Sequence, residues 1–109
     1  MLVQLRRFKV EKGYSDQVAE DFSKESPVDQ FPGLIDRSIM VNKRIRDYEE
    51  VILMIRWRSK DDWKNWEKSD VHRAGHKNNR GKEKPSYILE VDVKMYEVAN
   101  VYQGQALED

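Results

Sequence analysis

The run EVILMIRW at residues 50–57 sets the strictest condition on the fold. A strand sends alternate side chains to opposite faces, yet Val51 through Ile55 are apolar at every position. Such a run needs cover on both sides. It therefore belongs inside a sheet with a layer packed against each face.

The flanking segments supply the rest of the sheet and one of the layers. Residues 2–10, LVQLRRFKV, read as a strand, with Val3 and Leu5 on one face and Phe8 and Val10 on the other. The apolar phase slips at Arg6-Arg7, and a slip of one residue flips the buried face. A bulge, or cover on both faces, is expected there. After Gly13, Ser15 is the expected N-cap of a helix carrying Tyr14, Val18, Ala19 and Phe22 at helical spacing. This helix stops before Pro27, and Phe31-Pro32-Gly33 makes a turn. LIDRSIMV (34–41) is a second strand, with Ile35, Ile39 and Val41 on one face.

Beyond residue 57, Ser59-Lys60-Asp61-Asp62 is a capping-box pattern. It opens a helix with an apolar stripe of Trp63, Trp66, Val71 and Ala74, expected to fray or end between Gly75 and Asn79. NNRGKEKPS is a loop. YILEVDVKMYEV (87–98) alternates as a half-buried strand, with Tyr87, Leu89, Val91, Val93 and Met95 inward. The order is β-α-β-β-α-β, the ferredoxin-like arrangement. The expected fold is α+β: a four-stranded antiparallel sheet with two helices on one face. The other face is left bare, and a second copy packed sheet against sheet is its simplest cover. Residues 1–98 form one domain and 99–109 a C-terminal tail.

Composition narrows the function. Lys+Arg and Asp+Glu each number 20, so no net charge draws the chain to nucleic acid or an anionic membrane. No segment approaches the apolar run that spans a bilayer. The opening MLVQLRRFKVEKG has no apolar h-region, so a cytoplasmic location is expected. With no cysteine, a disulfide scaffold, a thiol nucleophile, an iron–sulfur cluster and a thiolate-bound haem are excluded. Any metal must be held by His, carboxylate or Tyr.

The chemistry-bearing stretch is WEKSDVHRAGH (66–76), which holds the only two histidines. His72 and His76 are four apart and share a helix face, but Arg-Ala-Gly between them makes no zinc-protease motif, and His72 reads as surface. A single imidazole such as His76 can ligate a haem iron from one side and leave the other side open to oxygen. Trp66 and His76 lie about 15 Å apart along a straight helix and point within roughly one quadrant. That spacing suits a broad flat ligand, although Trp66 fits the core stripe with Trp63 equally well. Arg73, Lys77, Arg80, Lys82 and Lys84 read mainly as a solvated basic segment able to meet a ligand's carboxylates. No phosphate-binding loop, hydrolase triad or RNA-binding motif is present.

The opening VQLRRFKVEKG, the turn FPGLID and above all EEVILMIRWRSKDDWKNWEKSDVHRAGHK resemble the haem-degrading monooxygenases of the antibiotic-biosynthesis-monooxygenase superfamily (IsdG type, HmoA-like branch). The likeness covers residues 1–98. It implies a ferredoxin-like protomer in a two-fold homodimer, with a haem pocket between sheet and helices in each subunit. It implies haem as both cofactor and substrate, O2, and electrons from a reductase or small reductant. The family's iron-ligand histidine falls on His76, its macrocycle-distorting tryptophan on Trp66, and a pocket-lining aromatic on Phe22. The first-strand asparagine that hydrogen-bonds the iron's other ligand falls on Arg6, a departure that bears on the far side of the pocket. Two competing readings are a cofactor-free monooxygenase acting on an aromatic or quinol substrate, and a haem-binding module without turnover.

Overall fold

The computed structural model describes residues 1–79 and 84–106, and of residues 76–79 the backbone only. Four strands, β1 (Leu2–Val10), β2 (Leu34–Asn42), β3 (Glu49–Trp57) and β4 (Ile88–Glu97), form one antiparallel sheet in the order β2-β3-β1-β4. Helix α1 (Ser15–Phe22) joins β1 to β2, and α2 (Lys60–Lys68) and α3 (Asp70–Asn79) lie between β3 and β4. The ferredoxin-like expectation holds, with one helix more than expected. A short 3₁₀ segment, Pro27–Gln30, also follows α1.

The core lies between sheet and helices. On β3 the odd residues Glu49, Val51, Leu53 and Trp57 are buried. Their partners on β1, Val10, Phe8, Arg6 and Leu2, share that face. Phe8, Val10 and Val51 pack with Val18 of α1 in one cluster. Leu2 and Trp57 pack with Val28 of the 3₁₀ segment in a second, flanked by Trp63 and Trp66. Each such aliphatic or aromatic side chain contributes roughly 1.5–3 kcal/mol when fully buried. Val28 explains the 3₁₀ segment: Pro27 fits its first position, Ser26 and Asp29 form a reciprocal cap, and the turn delivers one valine to the core.

The phase slip at Arg6-Arg7 is not a bulge. The register between β1 and β3 runs without interruption from Leu2↔Trp57 to Val10↔Glu49, and the one irregularity in β1 lies at Lys9/Val10 against β4. The inward face of β1 is Leu2, Gln4, Arg6, Phe8, Val10, so two polar residues interrupt an otherwise apolar row. Ser15 does not cap α1 either. Its position is the first of the helix, and its hydroxyl donates to Glu49 Oε1 at 2.6 Å. This bond and the Ser15 amide at 3.1 Å satisfy a buried carboxylate. Hydrogen bonds from Ser15, with a further one from the Gly13 amide, hold that carboxyl below its usual range.

The inward row of β4 is less covered than expected. Val91, Val93 and Met95 pair with Phe8, Arg6 and Gln4 on the helix side, yet they are 36–44% exposed. The helices pack mainly over β2 and β3, which leaves an open trough above β1 and β4. On the opposite face of the sheet, Val3, Leu5, Ile52 and Met54 are half-buried and Met40 and Tyr96 are exposed. Charged residues are interspersed there, including Arg7 bonded to Glu50 and Arg56 to Asp36. No helix among the described residues is long and apolar enough to cross a membrane.

Candidate functional site

The trough deepens into a cavity of about 580 Å³, within the size range of ordinary ligand sites. Its floor is the sheet: Gln4 and Arg6 of β1, Leu53 and Ile55 of β3, Val93 and Met95 of β4. Phe22 closes one side from α1, and Trp63, Trp66, Glu67 and His72 form the opposite wall. Asp21, Lys24 and Glu25 stand exposed at the rim.

The wall depends on a break between α2 and α3. Ser59 caps α2 as its spacing foretold, its Oγ accepting from the Asp62 amide at 3.1 Å. Eight residues after Asp61 the helix stops: Ser69 is extended (φ −69°, ψ 150°), its amide bonds Trp66 O at 3.0 Å, and its Oγ accepts from the His72 amide at 3.2 Å. A new helix therefore begins at Asp70, and Gly75 lies inside it rather than ending it. The expectation of one straight helix carrying Trp66 and His76 about 15 Å apart is corrected: the two residues belong to different helices. The side chain of His76 lies outside the described residues, as do those of Lys77 and residues 80–83; Lys84 is exposed.

The same break overturns the surface reading of His72. Its ring meets Trp66 edge-on, with centroids 4.8 Å apart at 64°. Its Nε2 lies 2.7 Å from Glu67 Oε2, and its side chain is only 19% exposed. Trp66 is thus boxed by His72, by Phe31 edge-on at 5.2 Å and by Trp57 stacked at 6.5 Å. Trp66 flanks the core and lines the cavity. Phe22 likewise bridges, packing on Phe8 at 4.8 Å and facing the cavity.

A second clamp has no signature in the sequence. Arg37 of β2 donates to both oxygens of Asp29, and to the backbone oxygens of Phe22 and Lys24 at 2.8 Å each. One guanidinium thus ties the end of α1, the following loop and the 3₁₀ segment to the sheet beside the cavity. The hydrogen bonds from Arg37 hold the Asp29 carboxyl below its usual range, and those to Asp29 raise the Arg37 guanidinium.

Comparison with known proteins fixes the family. The model for the antibiotic biosynthesis monooxygenases matches residues 1–78. The chain belongs to the antibiotic biosynthesis monooxygenase family. Within reach of this chain is the heme-degrading monooxygenase HmoA of Bacillus subtilis, 50% identical over 104 residues, covering 95% of this chain and 96% of that one. A crystal structure of a Bacillus cereus protein assigned to the same monooxygenases superposes with a TM-score of 0.81 at 38% identity, over 94% of this chain and 97% of the other. The heme-degrader MhuD from Mycobacterium tuberculosis, solved with two hemes in its active site, superposes with a TM-score of 0.68 at 13% identity, over 94% of this chain and all of that one. That last likeness is one of fold. In this monooxygenase scaffold the polar floor, the aromatic wall and the Arg37 clamp meet around one opening.

Proposed function

We propose that this chain is a haem-degrading monooxygenase, binding haem as both cofactor and substrate and opening the macrocycle with O2 and externally supplied electrons. The observation that carries the reading is the cavity itself. It is walled by Trp66 and by His72 of α3, the helix that bears His76, and set in a chain that matches a heme-degrading monooxygenase at half its positions.

The roles are those the family resemblance implies for these positions. His76, borne on α3, would hold the haem iron. Trp66 is the wall that presses on the macrocycle and bends it, and its three aromatic neighbours keep it from yielding. Phe22 packs against the ligand from α1. Gln4 and Arg6 on the floor face the ligand from below. Bound haem supplies the iron at which O2 is activated; the protein orients the macrocycle and shields it from water. Wherever the bare sheet face is covered, a second copy covers it, so the working form is a homodimer with one cavity per subunit. The electron donor is a reductase or a small reductant, and the location is cytoplasmic.

The test is a haem titration of the purified protein followed by reductant in air. A one-to-one complex whose Soret band disappears with release of iron supports the reading. Oxygen uptake with a quinol and no haem would instead mark a cofactor-free monooxygenase, and a stable unbleached complex would mark a binding module.

A further inference from the structure

We infer that Arg6 forms an anion-binding subsite on the cavity floor. The inference rests on the planar-ligand reading above. Arg6 lines the cavity and is half-buried. Its cross-strand neighbours are apolar, Leu53 on β3 and Val93 on β4. Among the described residues it has no hydrogen-bond or ion-pair partner. The other charges around the cavity are placed differently. Arg37 is already engaged by Asp29 and two backbone oxygens. Glu67 meets His72. Asp21, Lys24 and Glu25 sit at the exposed rim.

A guanidinium cannot shed its proton at any ordinary pH. In the open trough water satisfies it. A broad apolar ligand laid over the floor strips that water away, and an unpaired buried cation is strongly disfavoured. Occupancy is therefore favourable only when the ligand brings an anion to Arg6. The chemistry required is an oxyanion or halide that accepts the guanidinium's forked donors. Two sources offer it: a carboxylate borne by the planar ligand, or a separate small anion held between ligand and floor. The subsite thus makes the cavity selective for anionic ligand pairs over neutral flat molecules of equal size.

The experiment has two arms, each on wild type, Arg6→Gln and Arg6→Lys. In the first, tryptophan fluorescence quenching measures the affinity for metal-free protoporphyrin IX, which carries two carboxylates, and for its dimethyl ester. No iron ligation enters this arm. In the second, the Soret band of the ferric haem complex reports fluoride affinity. A charge-assisted hydrogen bond is worth about tenfold or more in affinity. Arg6→Gln is expected to lose about that much in one arm, with Arg6→Lys retaining most of it. A loss confined to the free diacid, with the ester already weak on wild type, assigns the subsite to the ligand's carboxylate. A loss confined to fluoride assigns it to a small anion. If Arg6→Gln matches wild type within about threefold in both arms, the subsite does not exist. If wild type binds neither porphyrin nor haem, the haem-degrading reading fails and the inference falls with it. Because Arg6 bonds nothing among the described residues, both variants are expected to fold, and the ester comparison on wild type needs no variant.

Discussion

Replacing Ser69 by alanine separates a broken helix from a continuous one by the sign of its effect. Ser69 Oγ accepts from the His72 amide at 3.2 Å and donates to Trp66 O at 2.7 Å. The first is an N-cap for α3, and losing a serine cap to alanine costs about 1 kcal/mol. The second is a part-buried hydrogen bond worth about 0.5–1.5 kcal/mol net. Ser69→Ala should therefore destabilise the protein by roughly 1.5–2.5 kcal/mol, at about 4–8 °C of Tm per kcal/mol for a domain near this size. In an uninterrupted helix the same change would stabilise by about 0.5 kcal/mol, because alanine is the better helix former. Urea denaturation gives the sign, and amide hydrogen exchange locates it: protection should fall in 72–79 and hold in α1. A variant as stable as wild type, with unchanged exchange in α3, would refute the break and the wall geometry built on it.

Replacing His72 with glutamine keeps a hydrogen bond to Glu67 but removes the ring against Trp66. It should cost about 0.5–1.5 kcal/mol, the worth of an aromatic pair, and alter the tryptophan near-UV circular dichroism. An unchanged spectrum would mean that His72 does not position Trp66. Gly33 sits at φ 92°, where an added Cβ would stand 2.3 Å from Asp62 Cγ, so Gly33→Ala should lower stability by about 1–3 kcal/mol, read by thermal denaturation. The acid limb of stability follows from four carboxyls held below their usual range: Asp29 by hydrogen bonds from Arg37, Asp36 by those from Arg56, Glu49 by those from Ser15, and Asp62 by those from Ser59 and Arg58. Depressed folded-state values give stability that is present above the unfolded pKa of about 4 and is lost as pH falls through the lower folded values. Melting temperatures should hold from about pH 7 to 5 and drop below about pH 4, and Asp29→Asn should be less stable at neutral pH with a shallower acid limb.

The strands were legible because their periodicity is strong. The doubly apolar β3, the strand β4 and the Ser59 cap all appear in the structure, but the buried row expected along β4 does not. The polar pair Gln4 and Arg6 was visible as a phase slip, yet its cause, a cavity over an otherwise buried row, is tertiary. The 3₁₀ segment had a signal in Ser26-Pro27 followed by Asp29, a reciprocal cap that only its tertiary burial of Val28 makes a helix. The break at Ser69 carries no glycine or proline, so the stripe from Trp63 to Ala74 reads straight through it. Only the serine before Asp70, a cap-like pair, hinted at a second start. His72 looked solvated for the same reason: its face is set by the direction of α3, not by its spacing from Trp66. Arg37 and Asp29 meet across a turn of chain that no local pattern encodes.

The central claim is that one histidine of α3, His76, holds haem in this cavity for destruction. The most direct measurement is a haem titration of wild type, His76→Ala and His72→Gln, each complex then exposed to ascorbate in air with a ferrous-iron chelator present. The account predicts a one-to-one complex in wild type and in His72→Gln. It predicts a Soret band that vanishes as iron is released, and a His76→Ala protein whose haem spectrum is altered and does not bleach. A His76→Ala complex spectrally identical to wild type and equally bleached would contradict it, most sharply if His72→Gln were the variant that failed.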